Sequence, residues 1–399
     1  MFAIRDEAPV EFTVEALMKA AEAKTGLHEW GDMRFLEGLE ALVKSFREEG
    51  FAQMSEEVVG YMGPSLVALL VSRLQILDDR KKYPEIAQEC ITQPIFFIGM
   101  ARTGSTLIQS LFAQDPANLA AEFWEMMLPS PPPKFGIGAE RQARAAQIMK
   151  AHLEAAPGFS NQHPYFIEEG YRALAECNSA TEWSFSSIQL PAFYPLRSYL
   201  NWFLNSDPEE AVKFHRMALQ HLQWGRSGRF WVSKAIDWGV YLDQLCHQYP
   251  DGKFIWTHRD PLAHVASLAS NLQVVRQYGG RPVTDLHSMG DLALDIVSGV
   301  FERLMSARDR ADSSRFFDSY YEDLVEEPVE RVRYMYVNFL GRSLTAEAEL
   351  RMASWLRDNN QTKHGKHLYE PADFGLSREK VEKRLATYMQ RYGERFRRA

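Results

Sequence analysis

The stretch Pro94-Ile95-Phe96-Phe97-Ile98-Gly99-Met100-Ala101-Arg102-Thr103-Gly104-Ser105-Thr106-Leu107 constrains the fold of this 399-residue chain more than any other. Its apolar run reads as a buried strand, the residues from Gly99 to Gly104 as a short loop, and Ser105 onward as an amphipathic helix. That succession aims several backbone N–H groups and a helix N-terminus at one point, which makes an anion site. Gly99 and Gly104 have the spacing of the phosphate loop G-x-x-x-x-G-K-[ST], but Ser105 stands where the lysine belongs. The group that reaches the terminal phosphates of a nucleoside triphosphate is therefore missing, and Arg102 puts a fixed cation inside the loop instead. Taken alone, the loop is also compatible with a plain structural turn.

A second stretch sharpens the reading. Lys253-Phe254-Ile255-Trp256-Thr257-His258-Arg259-Asp260 reads as a buried strand, and Asp260 with Pro261 suits the cap and first position of a following helix. Arg259 and Ser267 are eight residues apart, about two helical turns, so both can face one groove. An arginine meets phosphate oxygens with a planar fork and keeps its charge. A surface ion pair with Asp260 is the plainer alternative for Arg259. Between the two stretches, Arg229-Phe230-Trp231-Val232-Ser233-Lys234 predicts another short strand, ending at a lysine.

These segments resemble the sulfotransferases that use 3′-phosphoadenosine 5′-phosphosulfate (PAPS), and most of all their bacterial branch, related to the tyrosylprotein sulfotransferases. The loop of that branch reads G-x-P-R-[ST]-G-[ST]-T-L, with Ala101 here at the proline position. The resemblance implies an α/β fold, a P-loop-like and mainly parallel sheet flanked by helices. It implies that Arg102, Thr103, Gly104, Ser105 and Thr106 bind the 5′-phosphosulfate of PAPS, and that Arg259 and Ser267 bind its 3′-phosphate. Lys234 matches the lysine that ends a strand in the family and would stabilise charge as the S–O bond breaks.

The cytosolic branch carries a histidine two residues after that lysine; Ile236 excludes such a base here. The bacterial and tyrosylprotein branches use a glutamate shortly after the first helix. Glu122 and Glu125, in Ala120-Ala121-Glu122-Phe123-Trp124-Glu125, are both candidates, and a Trp-Glu pair in this register favours Glu125. Its apolar neighbours Phe123, Trp124, Met126 and Met127 would raise its pKa toward that of a useful base. No metal is implied.

Other patterns lead nowhere catalytic. His258-Arg259-Asp260 and Asp373-Phe374-Gly375 spell two protein-kinase signatures, but Val265 stands where the catalytic-loop asparagine belongs and the triplets lie more than a hundred residues apart. His364 and His367 lack an acidic or cysteine partner nearby for zinc. They belong to a basic stretch resembling a C-terminal segment of the bacterial family, where Lys366 is the best nucleotide contact.

A helical N-terminal region, 1–93, is expected to pack on the core of an α/β domain, 94–399, forming one compact unit with it. Thr13 is expected to cap a first helix, Gly50 to end the one containing Phe35, Leu39, Leu42 and Phe46, and Ser55 to open a third, interrupted near Pro64. Pro129-Ser130-Pro131-Pro132-Pro133 is expected to be a loop, and Tyr320-Tyr321-Glu322-Asp323-Leu324 a strand and loop. Of the aromatics Phe159, Tyr165, Phe166, Tyr171, Trp183, Phe185, Phe193, Tyr194, Tyr199, Trp202 and Phe203, most read as core and some as lining of the acceptor pocket.

A net charge of −8 argues against a nucleic-acid partner. No secretory pattern opens the chain and no apolar run approaches the ~20 residues of a transmembrane segment. Three cysteines, Cys90, Cys177 and Cys246, read as reduced core thiols of a cytoplasmic protein. The expected function is sulfuryl transfer from PAPS to a hydroxyl of a small-molecule, lipid or carbohydrate acceptor. A P-loop phosphotransferase and a non-catalytic nucleotide-binding protein are the alternatives. The acceptor and the oligomeric state, a homo-oligomer included, are left open.

Overall fold

A computed structural model describes residues 9–236, 238–359 and 369–396. Its sheet has five strands: β1 (Ile95–Ile98), β2 (Asn118–Leu119), β3 (Phe230–Lys234), β4 (Lys253–His258) and β5 (Phe316–Tyr320). They lie in the order β2-β3-β1-β4-β5 and every neighbouring pair is parallel. This is the mainly parallel α/β sheet expected. All four residues of β1 are buried, as a central strand covered on both faces requires. Each such side chain contributes about 1.5–3 kcal/mol by leaving water.

The strand order positions the loop after β1. The chain leaves β1 toward β2 on one side and leaves β4 toward β5 on the other, so the carboxyl ends of the neighbouring strands β1 and β4 flank a topological switch point, where open parallel sheets bind ligands. The registers Phe97↔Lys234 and Ile98↔Trp256 set the end of β3 beside that of β1, while β4 runs two residues further, to His258.

The chain divides into two compact units. One comprises residues 1–91, 121–226 and 274–283; the other comprises 92–120, 227–273 and 284–399 and holds the whole sheet.

The first unit is helical. Thr13 caps the helix Val14–Thr25 by accepting from the Ala16 N–H. The helix Phe35–Ser45 passes into a π-helical turn that ends at Gly50. Ser55 caps the helix Glu56–Lys82. The interruption expected near Pro64 does not occur. Pro64 is buried within that helix, flanked by buried Met62, Gly63, Ser65, Leu66 and Val67, and packing outweighs the one backbone bond proline forfeits.

The same helix corrects the reading of apolar runs: among the described residues it alone is long and apolar enough to cross a membrane, yet 67% of its most apolar window is buried inside the protein. Arg73 within it is buried too. It donates to the carbonyls of Trp30, Asp32 and Trp183 and to the Glu210 carboxylate at 2.8 Å, with Phe35 and Phe214 against its guanidinium. A charge so fully partnered belongs to a protein core.

Two smaller corrections follow. Tyr321 begins a helix, Tyr321–Glu326, followed by another, Pro328–Asn338, in place of the loop expected after β5. Cys90 is exposed and Cys246 half-buried rather than in the core.

Candidate functional site

In the sheet-bearing unit, Gly99 turns the chain off β1 at φ +118°, and a Cβ there would lie 2.7 Å from Trp256. Arg102 follows at φ +71°, a left-handed conformation that L side chains avoid, and Gly104 at φ +88° caps the helix Ser105–Ala113. The first N–H groups of that helix have no acceptor within it and open toward the loop.

The loop is fastened through its carbonyls. The Thr103 hydroxyl donates to the Met100 carbonyl at 2.7 Å and shares a 2.6 Å bond with the Thr257 hydroxyl on β4. His264 Nε2 lies 3.0 Å from the Ala101 carbonyl, and Arg259 Nη1 lies 3.0 Å from the Arg102 carbonyl. The Arg102 side chain donates through Nε to the Ser267 hydroxyl at 3.1 Å. The two stretches singled out in the sequence thus meet around one point, with Arg102, Arg259 and Ser267 in direct succession.

Asp260 and Pro261 open the helix Pro261–Val275 as expected, the Asp260 carboxylate accepting from the Ala263 N–H. Asp260 pairs with Arg378, so Arg259 is not spent on it. The Arg259 guanidinium instead lies 4.7 Å over the Tyr321 ring. Lys234, nearly buried, donates to the Thr106 hydroxyl at 2.9 Å and so stands beside the first turn of the loop helix. Ser105 is buried at the start of that helix. Thr103 differs in kind: its hydroxyl is turned into the protein, leaving its backbone to face a ligand. Lys366, His364 and His367 lie outside the described residues; Tyr369, beyond them, donates to the Ala263 carbonyl at 3.4 Å.

The triplets set aside as kinase look-alikes have structural roles. His258 is buried between the Asp318 carboxylate (2.9 Å) and the Tyr388 hydroxyl (2.8 Å), and Arg308 forks onto Asp318. Burial alone would raise the Asp318 pKa, but bonds from His258 and Arg308 hold it well below the usual carboxylate range. Phe374 packs its carbonyl against Gly290, where a Cβ would not fit.

The glutamates lie in the helical unit. Phe123–Met127 forms a single helical turn capped by Glu122. The pair forms a capping box: Glu122 accepts from the N–H of residue 125, and Glu125 Oε2 accepts from the Glu122 N–H at 2.8 Å. Glu125 is 3% exposed and takes Arg226 Nη1 at 3.0 Å on Oε1. Burial pushes its pKa up, offset in part by Arg226 and the Glu122 N–H. Glu122 is held from the side by the Trp124 indole at 2.6 Å and by Arg172 at 3.3 Å.

Arg226, His264 and Thr257 escaped the sequence reading. His264 had one usable signal: it lies three residues before Ser267, on the same helical face. Arg226, a hundred residues from Glu125, had none. Among the described residues no cluster of His, Cys, Asp and Glu could hold a metal.

Nearby in the helical unit lies an open groove of about 660 Å³, lined chiefly by Met149, Leu153, Pro157, Phe166, Ile167 and Tyr171. Phe166 packs edge-on against Phe123, two residues from Glu125, with ring centres 5.7 Å apart.

The sequence pattern of the sulfotransferase family matches residues 94–346. The fold is similar to the crystal structure of sulfotransferase STF9 from Mycobacterium avium, with a TM-score of 0.84 at 25% identity over 96% of this chain and 97% of that one. It is similar also to STF1 from Mycobacterium tuberculosis, with a TM-score of 0.79 at 27% identity over 94% and 98%. Curated relatives from Mycobacterium bovis and Mycobacterium tuberculosis, named omega-hydroxy-beta-dihydromenaquinone-9 sulfotransferase Stf3, are 22% identical over 248 residues. The match spans 61% of this chain and 61% of their length.

Proposed function

The chain belongs to the sulfotransferase family, and we propose that it transfers a sulfuryl group from PAPS to the hydroxyl of a lipid or other small-molecule acceptor. The observation that carries this reading is the convergence of Arg102, Arg259 and Ser267 on the loop that leads from β1 into the helix Ser105–Ala113. Two cations and a helix N-terminus gathered there suit a ligand that carries more than one anionic group.

In the proposed reaction the acceptor oxygen forms a bond to sulfur, and the bond from sulfur to the 5′-phosphate oxygen breaks. The acceptor proton goes to a carboxylate, and 3′,5′-ADP leaves with the electron pair. Arg259 and Ser267 hold the 3′-phosphate. Arg102, Lys234 and the N–H groups of the loop and of the first helical turn bear on the 5′ end, where charge develops on the bridging oxygen. The base is assigned to Glu125. Its ion pair and cap leave acceptor capacity on a carboxylate, which offers about four lone-pair sites. Glu125 is preferred to Glu122 because burial raises its pKa toward that of a useful base; both carboxylates are otherwise hydrogen-bonded. A cytoplasmic setting suits the sparse cysteine content, three in 399 residues.

The groove beside Phe123 favours an acceptor with a long apolar portion, consistent in kind with the lipid named for the Stf3 relatives. A thermal-shift panel tests the donor. 3′,5′-ADP is expected to raise the melting temperature strongly and ATP with Mg²⁺ weakly. A larger shift with ATP and Mg²⁺ would establish a phosphotransferase instead, and no shift with either a scaffold.

A further inference from the structure

We propose, resting on the donor reading above, that His264 is a positioning residue which pins the Ala101 carbonyl so that the loop presents its N–H groups to the 5′ anion of the donor. Three consecutive loop carbonyls are bonded from the protein side: Met100 by the Thr103 hydroxyl, Ala101 by His264 and Arg102 by Arg259. In a planar trans peptide the C=O of one residue points opposite to the N–H of the next. Fixing those three carbonyls therefore fixes the N–H groups of Ala101, Arg102 and Thr103 on the other side. A carbonyl turned the wrong way would face an anion with its negative end, so the loop must hold one orientation before the ligand arrives. Arg102 at φ +71° is under backbone strain that favours relaxation out of this orientation, and the bonds from His264 and Arg259 oppose it.

His264 suits the task chemically. A carbonyl oxygen only accepts, so Nε2 must carry the hydrogen. The ring is 1% exposed, and burial, with Arg259 adding to it, holds its pKa at about 3. It is thus a neutral donor of fixed tautomer throughout the physiological range. Its helix, Pro261–Val275, also carries Ser267, so one element sets the loop and contributes a ligand to the other anionic end.

The test compares affinities of adenosine 3′,5′-bisphosphate and adenosine 3′-monophosphate, measured by calorimetry on the full chain. The ratio reports the 5′ site alone and is insensitive to general destabilisation. His264→Leu should lower the preference for the bisphosphate about tenfold with 3′-monophosphate binding unchanged, and His264→Gln, which keeps a donor, should restore most of it. An unchanged ratio in His264→Leu overturns the proposal. Should that variant not fold, ¹⁵N spectra of histidine in the wild-type protein decide: a proton on Nδ1 instead of Nε2 overturns it. If the wild type binds neither nucleotide, the donor reading itself fails; if it binds both and the ratio does not respond, only the role of His264 does.

Discussion

The Arg102 guanidinium donates to the Ser267 hydroxyl at 3.1 Å, so a cation from the loop after β1 and a hydroxyl from the helix after β4 share one hydrogen bond. The serine oxygen is the acceptor in that bond, which leaves its own proton to be directed at a ligand. A serine oriented this way suits one phosphate oxygen, and Arg259 beside it suits another.

Arg259→Ala should therefore weaken 3′,5′-ADP binding by about 1.5–3 kcal/mol, the usual weight of a hydrogen bond to a charged group, and Ser267→Ala by about 0.5–1.5 kcal/mol. Affinity for 5′-AMP, which lacks the 3′-phosphate, should be unchanged in Ser267→Ala and should fall less than that for 3′,5′-ADP in Arg259→Ala, which also removes the bond to the Arg102 carbonyl. Equal losses for both nucleotides in a calorimetric titration would remove these residues from the 3′ site.

Lys234 reaches the Thr106 hydroxyl from the end of β3, where charge on the leaving oxygen would build up. Lys234→Met should lower kcat by a factor corresponding to about 2.7–4 kcal/mol, with 3′,5′-ADP affinity little changed. A variant that loses nucleotide affinity and keeps kcat would mark Lys234 as a binding residue only.

Glu125→Gln should abolish turnover and leave 3′,5′-ADP binding intact. A base must be ionised, and burial raises the Glu125 pKa, so kcat/KM should climb with pH through a midpoint above the ordinary glutamate value of about 4.3. Arg226 opposes that rise, so Arg226→Met should move the acid limb to higher pH. An acid limb that stays where it was in Arg226→Met would argue for another base.

Leu153→Glu replaces an apolar wall of the groove near Phe123 with a further charge beside Lys150 and Glu154. With a series of linear primary alcohols as acceptors, KM should fall as the chain lengthens in the wild type, and the variant should flatten that trend. A chain-length dependence identical in both proteins would place the apolar portion elsewhere.

Arg73 is expected to matter for stability rather than catalysis. Removing it by Arg73→Met leaves Glu210 buried without its partner, at a cost of about 3–5 kcal/mol in urea unfolding. A loss below 1 kcal/mol would mean that the carboxylate finds another partner.

The sheet and its loop were legible because their signals are local. A four-residue apolar run, two glycines at fixed spacing and an aspartate-proline start to a helix each act within a few residues. That the two stretches serve one ligand was expected only from the order of motifs; the direct bond of Arg102 to Ser267 was not expected, since nothing local joins residues 165 apart. Arg226 stayed hidden for the same reason, and Pro64 misled because its local penalty is overridden by burial on all sides. The glutamates were recognised by their neighbours, but their reciprocal cap was not. Glutamate is an uncommon N-cap, and that bond needs the backbone turn to be known.

Gly99 sits with its α-carbon against the Trp256 indole, at a backbone angle that side chains shun. Two separate obstacles therefore guard that position, and they answer to different remedies. Trimming the indole to a smaller residue would remove the 2.7 Å clash yet leave the Thr257 carbonyl 3.0 Å from the new methyl group and do nothing for the torsion. Paired substitution at 99 and 256 should recover only part of what the single change at 99 destroys, so mutational drift at this corner of the molecule is closed from both directions.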